Sequence, residues 1–160
     1  MQFFRTSTRQ LGRLHPLFFV YLVLFFSYAV LLPLLALDRA APHAALHADG
    51  GPDNLPAFGL FSRLVLGSLI VPALETTIFQ WLPLRLACTW LKMPPLAGIS
   101  VSAAFFGVAH YYSVGYVVFT TMIGAVLAWG FVARDYDGGR AFLWIAVVHA
   151  LRNAVSSFLM

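Results

Sequence analysis

The segment AFGLFSRLVLGSLIVPALETTIFQWLPLRLACTWL, residues 57–91, decides the fold class of this chain. It is almost wholly apolar, and as one straight α-helix it would be about 50 Å long. The hydrocarbon core of a bilayer is only about 30 Å thick, so a helix of this length has to tilt, bend or break. Pro72 and Pro83 are the expected break points, because proline removes a backbone donor and clashes with the preceding turn.

The composition of the whole chain agrees with a membrane protein. Hydrophobic residues make up 61% of the sequence and charged residues 10%, far from the balance of a soluble domain. The formal net charge is +4, but the basic residues stand at the ends of apolar runs and form no stripe. We therefore expect them to contact membrane lipid, and we expect no nucleic-acid partner.

Further apolar runs lie on both sides of this segment. They cover residues 16–37, 96–112, 116–133 and 141–160. Together with 57–91 they predict an all-α, polytopic membrane helix bundle of about five transmembrane helices. Residues 1–160 are expected to form a single integral membrane domain, with 16–37 as an extra N-terminal span and 57–160 as the core.

The charged residues between the runs predict a topology. Arginines at positions 5, 9 and 13 precede the first span, which places the N-terminus in the cytoplasm by the positive-inside bias. The loop 38–56 carries more acidic than basic residues and is expected outside. Lys92 and the polar turn 134–140 then fall on the cytoplasmic side. The prediction is a multi-pass protein of the cell (inner) membrane.

Four polar side chains lie inside these apolar runs: Glu75, His110, His149 and Asn153. An ionisable group at this depth costs a few kcal/mol or more, so it needs a functional or structural reason. His149 and Asn153 are four residues apart and share a helix face. A helix bundle can direct all four side chains at one point.

At these positions the chain resembles the CPBP intramembrane proteases, also called the CAAX protease and bacteriocin-processing (Abi) family. That family carries Glu-Glu-x-x-x-Arg, Phe-x-x-x-His and His-x-x-x-Asn motifs in this order. Glu75 matches the first glutamate, Phe106 and His110 the second motif, and His149 and Asn153 the third. The resemblance extends from about residue 72 to the end.

Two positions depart from the first motif. Thr76 replaces the second glutamate and Gln80 replaces the arginine. The two positions are four apart, so a Glu and an Arg there face each other on one helix. Because both charges are lost together, no unpaired charge is left behind, and the change indicates a subfamily variant more than an inactive protein. We expect the Thr and Gln to form neutral hydrogen bonds.

The resemblance implies an endopeptidase that acts on a transmembrane or lipidated protein substrate. Glu75 is then the general base that activates water, and His110 holds that water or moves its proton. His149 and Asn153 donate hydrogen bonds to the oxyanion that forms at the peptide carbonyl. These four residues are the expected catalytic set.

The requirement for a metal is open at this stage. Glu75, His110 and His149 are residue types that ligate zinc, and they leave a position for water. The resemblance also supports a glutamate mechanism that requires no cofactor, and the chain contains no His-Glu-x-x-His helix.

Other functions remain as alternatives. Glu75 can form a structural ion pair with Arg152 or Arg85, since buried charges usually find partners. In that case the chain is a non-catalytic membrane scaffold or immunity-type protein of the same fold. A third hypothesis is a small ion-coupled carrier that uses Glu75 and the histidines as a relay.

Overall fold

The computed structural model describes residues 8, 10–40, 59–136 and 138–159, and in these ranges the regular structure is helical. The helices are α1 Pro16–Ala29, α2 Leu32–Ala40, α3 Leu60–Trp90, α4 Pro95–Val108, α5 Val114–Arg134 and α6 Ala141–Leu159. The predicted all-α class is confirmed. Most of the predicted outer loop 38–56 lies outside the described residues.

Four helical segments in the described residues are long and apolar enough to cross a membrane. They are Pro16–Leu37, Leu60–Trp90, Val114–Arg134 and Ala141–Phe158. The predicted third span, 96–112, is the exception, because α4 has 14 residues and a length of about 21 Å. The described residues therefore contain four helical segments of spanning length and one shorter apolar helix, which ends just before His110.

α3 corrects the expectation that prolines would break the long segment. It continues from Leu60 to Trp90 through both prolines. The helix widens into π-helical turns at Arg63–Ile70 and again at Thr76–Trp81, directly before the short α-helical stretches that contain Pro72 and Pro83. A wider turn before each proline relieves the clash of its ring with the preceding carbonyl groups, so the helix bends without ending.

The core lies where α1, α5 and α6 meet. Its fully buried side chains are apolar and include Phe19 and Val23 of α1, Leu127 of α5, and Ile145 and Val148 of α6. Many large apolar side chains, by contrast, face outwards on every long helix. An outer surface of this kind suits lipid, which is why apolar residues lie on both the inside and the outside of the bundle.

α4 and α5 pack closely through glycines. A Cβ atom at Gly107 would overlap the Thr121 side chain, and one at Gly124 would lie 3.0 Å from Phe106. This agrees with the expectation that small residues allow close approach of helices in lipid. The close contact holds Phe106, and with it the end of α4 that carries His110, against α5.

The N-terminal segment and the α5–α6 turn lie at the same end of the bundle. The Arg134 guanidinium donates to the carbonyl of Leu14 at 2.6 Å, and the Tyr136 hydroxyl donates to the carbonyl of Gly12 at 2.9 Å. Arg85, near the end of α3, pairs with Asp135 at 2.6 Å. The ends that the charge pattern assigned to one side of the membrane are therefore together in space.

Candidate active site

Glu75 of α3 contacts two histidines that come from other parts of the chain. Its Oε1 lies 3.4 Å from Nε2 of His110, which follows α4, and its Oε2 lies 3.2 Å from Nε2 of His149 on α6. Three of the four predicted site residues therefore meet around one carboxyl group. Both distances are longer than the optimum for a charge-assisted hydrogen bond, a common state before a substrate binds.

A backbone contact orients the His110 ring. Its Nδ1 donates to the carbonyl of Phe106 at 2.7 Å, because a carbonyl oxygen can only accept. With one proton on Nδ1, the contact between Nε2 and Glu75 needs a second proton, which lies on either the imidazole or the carboxyl. Glu75 and His110 therefore form a pair that can hold and transfer one proton.

Thr76 orients the second histidine. Its hydroxyl lies 3.4 Å from Nδ1 of His149, and both side chains are buried. The contacts of His149 are satisfied when Thr76 donates to Nδ1 and the Nε2 hydrogen points at Glu75. Thr76, which replaces the second glutamate of the family motif, is thus a neutral partner of His149. This agrees with the hydrogen bond predicted for Thr76.

Gln80 does not meet that expectation. It is fully buried, and neither atom of its amide has a hydrogen-bond partner among the described residues. Thr76 therefore bonds to His149 and not to Gln80. Nothing in the structure explains why an amide occupies this position.

The aromatic residue of the second motif packs between the two imidazoles. The Phe106 ring lies 4.5 Å from the His110 ring and 5.6 Å from the His149 ring, measured between centroids. Phe79 of α3 closes the other side of Phe106 at 5.6 Å. These rings fix the spacing of the imidazoles and keep most water away from them.

Access to the site differs between the three side chains. The side chains of Glu75 and His110 are 20% and 17% exposed, and that of His149 is 3% exposed. The carboxyl group is thus reachable by water or by a substrate, whereas His149 approaches it from the protein interior.

Asn153 lies one helical turn beyond His149, and its amide nitrogen donates to the carbonyl of Gly67 at 3.0 Å. The preceding π-helical turn pairs the N–H of Val71 with the carbonyl of Leu66, five residues back. In the same pattern Gly67 would need an N–H from Pro72, which has none. Asn153 therefore satisfies a carbonyl that the proline leaves open, and it fastens α6 to α3 beside the site.

Ser102 of α4 plays a similar part at the second proline. Its hydroxyl donates to the carbonyl of Phe79 at 2.5 Å. This bond fastens α4 to α3 four residues before Pro83. The contact was not predicted, although a serine on a neighbouring apolar helix was a signal for it.

The proposed structural ion pairs of Glu75 are not formed. Arg85 instead binds Asp135 through both terminal nitrogens, at 2.6 and 3.0 Å. Arg152 lies over the rings of Tyr28 and Phe119, at 5.4 and 5.5 Å from their centroids. The partners of Glu75 are the two histidines.

The described residues also bear on the zinc hypothesis. Within ranges 10–40, 59–136 and 138–159, no group of three His, Cys, Asp or Glu side chains is arranged to hold a metal ion. The zinc hypothesis gains no support from these residues.

Comparison with known proteins agrees with this geometry. The family of type II CAAX prenyl endopeptidases described as Rce1-like matches residues 57–155, a range that contains all four predicted site residues. The first helix lies outside the match. No curated protein and no solved structure matches the chain. Since the match covers more than half of the sequence, the chain belongs to the Rce1-like type II CAAX prenyl endopeptidase family.

Proposed function

We propose that this protein is an intramembrane endopeptidase in which Glu75 activates water for attack on a peptide bond. The observation that carries the proposal is the contact of one partly exposed carboxyl group with two imidazoles inside an apolar bundle. Family membership supports the same class of activity. The side chains present, a carboxylate and two imidazoles, are suited to proton transfer at a water molecule.

The first step forms a bond between the water oxygen and the peptide carbonyl carbon. In the resting pair the second proton lies on Nε2 of His110, so Glu75 is ionised and accepts a proton from the water. The carbonyl oxygen becomes an oxyanion. A protonated Glu75 attracts the Nε2 hydrogen of His149 less strongly, so this hydrogen is released to the oxyanion. Asn153 has a second N–H besides the one bonded to Gly67, and we assign it to the same oxyanion.

The second step breaks the carbon–nitrogen bond of the tetrahedral intermediate. The proton that Glu75 accepted passes to the leaving nitrogen, which departs as an amine. The other product is a carboxylic acid, which keeps the second proton of the water and releases it to the solvent or to the amine as it becomes a carboxylate. Glu75 then returns to its starting ionisation state, and the water consumed is the only co-reactant.

The substrate we propose is a lipidated or membrane-embedded protein. The family is that of the CAAX prenyl endopeptidases, and a CAAX sequence carries a prenylated cysteine near the carboxy terminus. A prenyl chain partitions into lipid, and the outer surface of this bundle is apolar on all its long helices. We further propose that the protein lies in the inner membrane with its N-terminus in the cytoplasm.

The test is cleavage of a synthetic farnesylated peptide ending in Cys-a-a-X by the purified protein in liposomes. The wild-type protein should release the last three residues, measured by mass spectrometry, and Glu75→Gln should not. Wild-type protein that leaves this peptide and a prenylated full-length protein intact would contradict the proposal.

A chelator should leave the cleavage rate unchanged within about twofold, because each step is assigned to side chains of this chain. The measurement is the initial rate before and after EDTA and 1,10-phenanthroline treatment, with a zinc-dependent peptidase treated in parallel. A loss of activity that zinc restores would transfer the activation of water from Glu75 to a metal.

A further inference from the structure

Arg152 is a buried cation with no anionic partner in the described residues. It lies on α6, and the residue is 8% exposed. The carboxylates of Glu75 and Asp135 are engaged elsewhere, since Glu75 contacts the two histidines and Asp135 binds Arg85. An unpaired charge inside a membrane protein costs several kcal/mol and usually marks a functional site.

The Nε of Arg152 is also without a hydrogen-bond acceptor: it is enclosed and has no partner among the described residues. The rings of Tyr28 and Phe119 contact the guanidinium. A ring face stabilises the positive charge, but it does not accept hydrogen bonds from the five N–H groups as oxygen atoms would.

A second buried arginine shows what a structural role looks like in this fold. Arg134 is 4% exposed and also lies over aromatic rings, those of Phe19 and Trp144. Unlike Arg152, it donates to a backbone carbonyl, that of Leu14, at 2.6 Å. The Nε of Arg134 is unpartnered too, so the two arginines differ in the one bond that a terminal nitrogen of Arg134 donates.

Arg152 lies beside the candidate active site. It follows His149 by three residues on the same helix face, a rise of about 4.5 Å. Phe119 stacks on Tyr116 at 5.8 Å, and Tyr116 packs against His110 at 6.2 Å. A row of aromatic rings therefore connects the guanidinium to the catalytic imidazole.

We propose that Arg152 binds the free carboxy-terminal carboxylate of the peptide substrate, on the leaving side of the scissile bond. The proposal rests on the proposed endopeptidase function. A guanidinium binds a carboxylate through two parallel hydrogen bonds, and such a pair is strong where water is scarce. The backbone rise from His149 is about 4.5 Å, and the long arginine side chain adds several ångströms, so the guanidinium can reach a carboxylate about two to three extended residues away. Arg152 would thereby select substrates cut close to their carboxy terminus.

The proposal also assigns a role to the first helix. Tyr28 belongs to α1, outside the family match, and it contacts Arg152 twice. Its ring lies under the guanidinium, and its hydroxyl donates to the Arg152 carbonyl at 3.3 Å. The added helix thus forms one wall of the proposed carboxylate subsite.

The test compares two farnesylated peptides that differ only in ending with a carboxylate or with a carboxamide. Binding is measured with Glu75→Gln protein in detergent, and cleavage with protein that retains Glu75. We expect the carboxylate peptide to bind about 10- to 100-fold more tightly, as a charge-assisted bond predicts. Adding Arg152→Gln should remove this preference and leave the affinity for the carboxamide unchanged. Arg152→Lys should restore part of it.

Several results would overturn the subsite. One is equal binding of the two peptides to protein that retains Arg152. Another is an equal loss of affinity for the carboxylate and the carboxamide peptides in Arg152→Gln, which would indicate a structural role for Arg152. If Arg152→Gln fails to fold, the affinities of the two peptides are compared in protein that retains Arg152 and in Arg152→Lys, and this comparison decides whether the subsite exists. A carboxylate preference in binding without any cleavage would support the subsite and refute the endopeptidase function, so the two failures are distinguishable.

Discussion

Glu75→Gln should lower the cleavage rate by at least about 10⁴-fold, which is the scale for removing a residue at the centre of a catalytic unit. Glutamine has nearly the same shape as glutamate and can still bond to His110 and His149, so the fold should be retained. It cannot accept the proton of a water molecule. The measurement is kcat on a farnesylated peptide in liposomes, together with the melting temperature in detergent.

Asp135→Asn is the matched control, because it makes the same chemical change at a carboxylate that pairs with Arg85 at the end of the bundle. It should keep a rate within about threefold of wild type, since an exposed ion pair contributes little. A Glu75→Gln protein that folds normally and cleaves at the wild-type rate would remove Glu75 from the role of base.

His149→Ala should lower kcat by about 10²- to 10³-fold with a smaller effect on KM. This is the usual effect of losing one hydrogen-bond donor to an oxyanion. The donor is expected to act in the transition state more than in the bound substrate, so the loss should fall on kcat. The measurement is a full rate curve against peptide concentration.

His15→Ala is the control for that variant, because His15 is exposed and stands just before α1, away from α6. Its kinetic constants should equal those of wild type. A His149→Ala protein with a raised KM and an unchanged kcat would assign His149 to substrate binding and not to the oxyanion.

The apolar runs predicted most of the fold. The first span ends at Leu37 as expected, and α5 and the last helix begin within about two residues of the predicted positions. The two errors arise from packing. The apolar run 96–112 continues past Val108, so hydropathy does not show that α4 ends there. Hydropathy also does not show that α3 continues past Pro72 and Pro83 by forming π-helical turns.

The site was predictable as a set of residues and less so as a set of contacts. Motif spacing identified Glu75, His110 and His149, which meet in space, and Asn153, and the catalytic role of all four stays a prediction. The bond from Asn153 to Gly67 depends on the helical register before Pro72 and cannot be found from spacing. The sequence does not show that the Nε of Arg152 has no partner either, and it left Glu75 as one alternative partner for this arginine.

The most direct test of a single reaction centre is a double-variant cycle on the two histidines that contact Glu75. His110→Ala, His149→Ala and the double variant are compared by kcat on the same peptide. If both imidazoles serve one carboxyl group, the double variant should be no more than about threefold slower than the slower single variant. If the fold-loss of kcat in the double variant equals the product of the two single-variant losses, the histidines act independently, and this result would contradict the account.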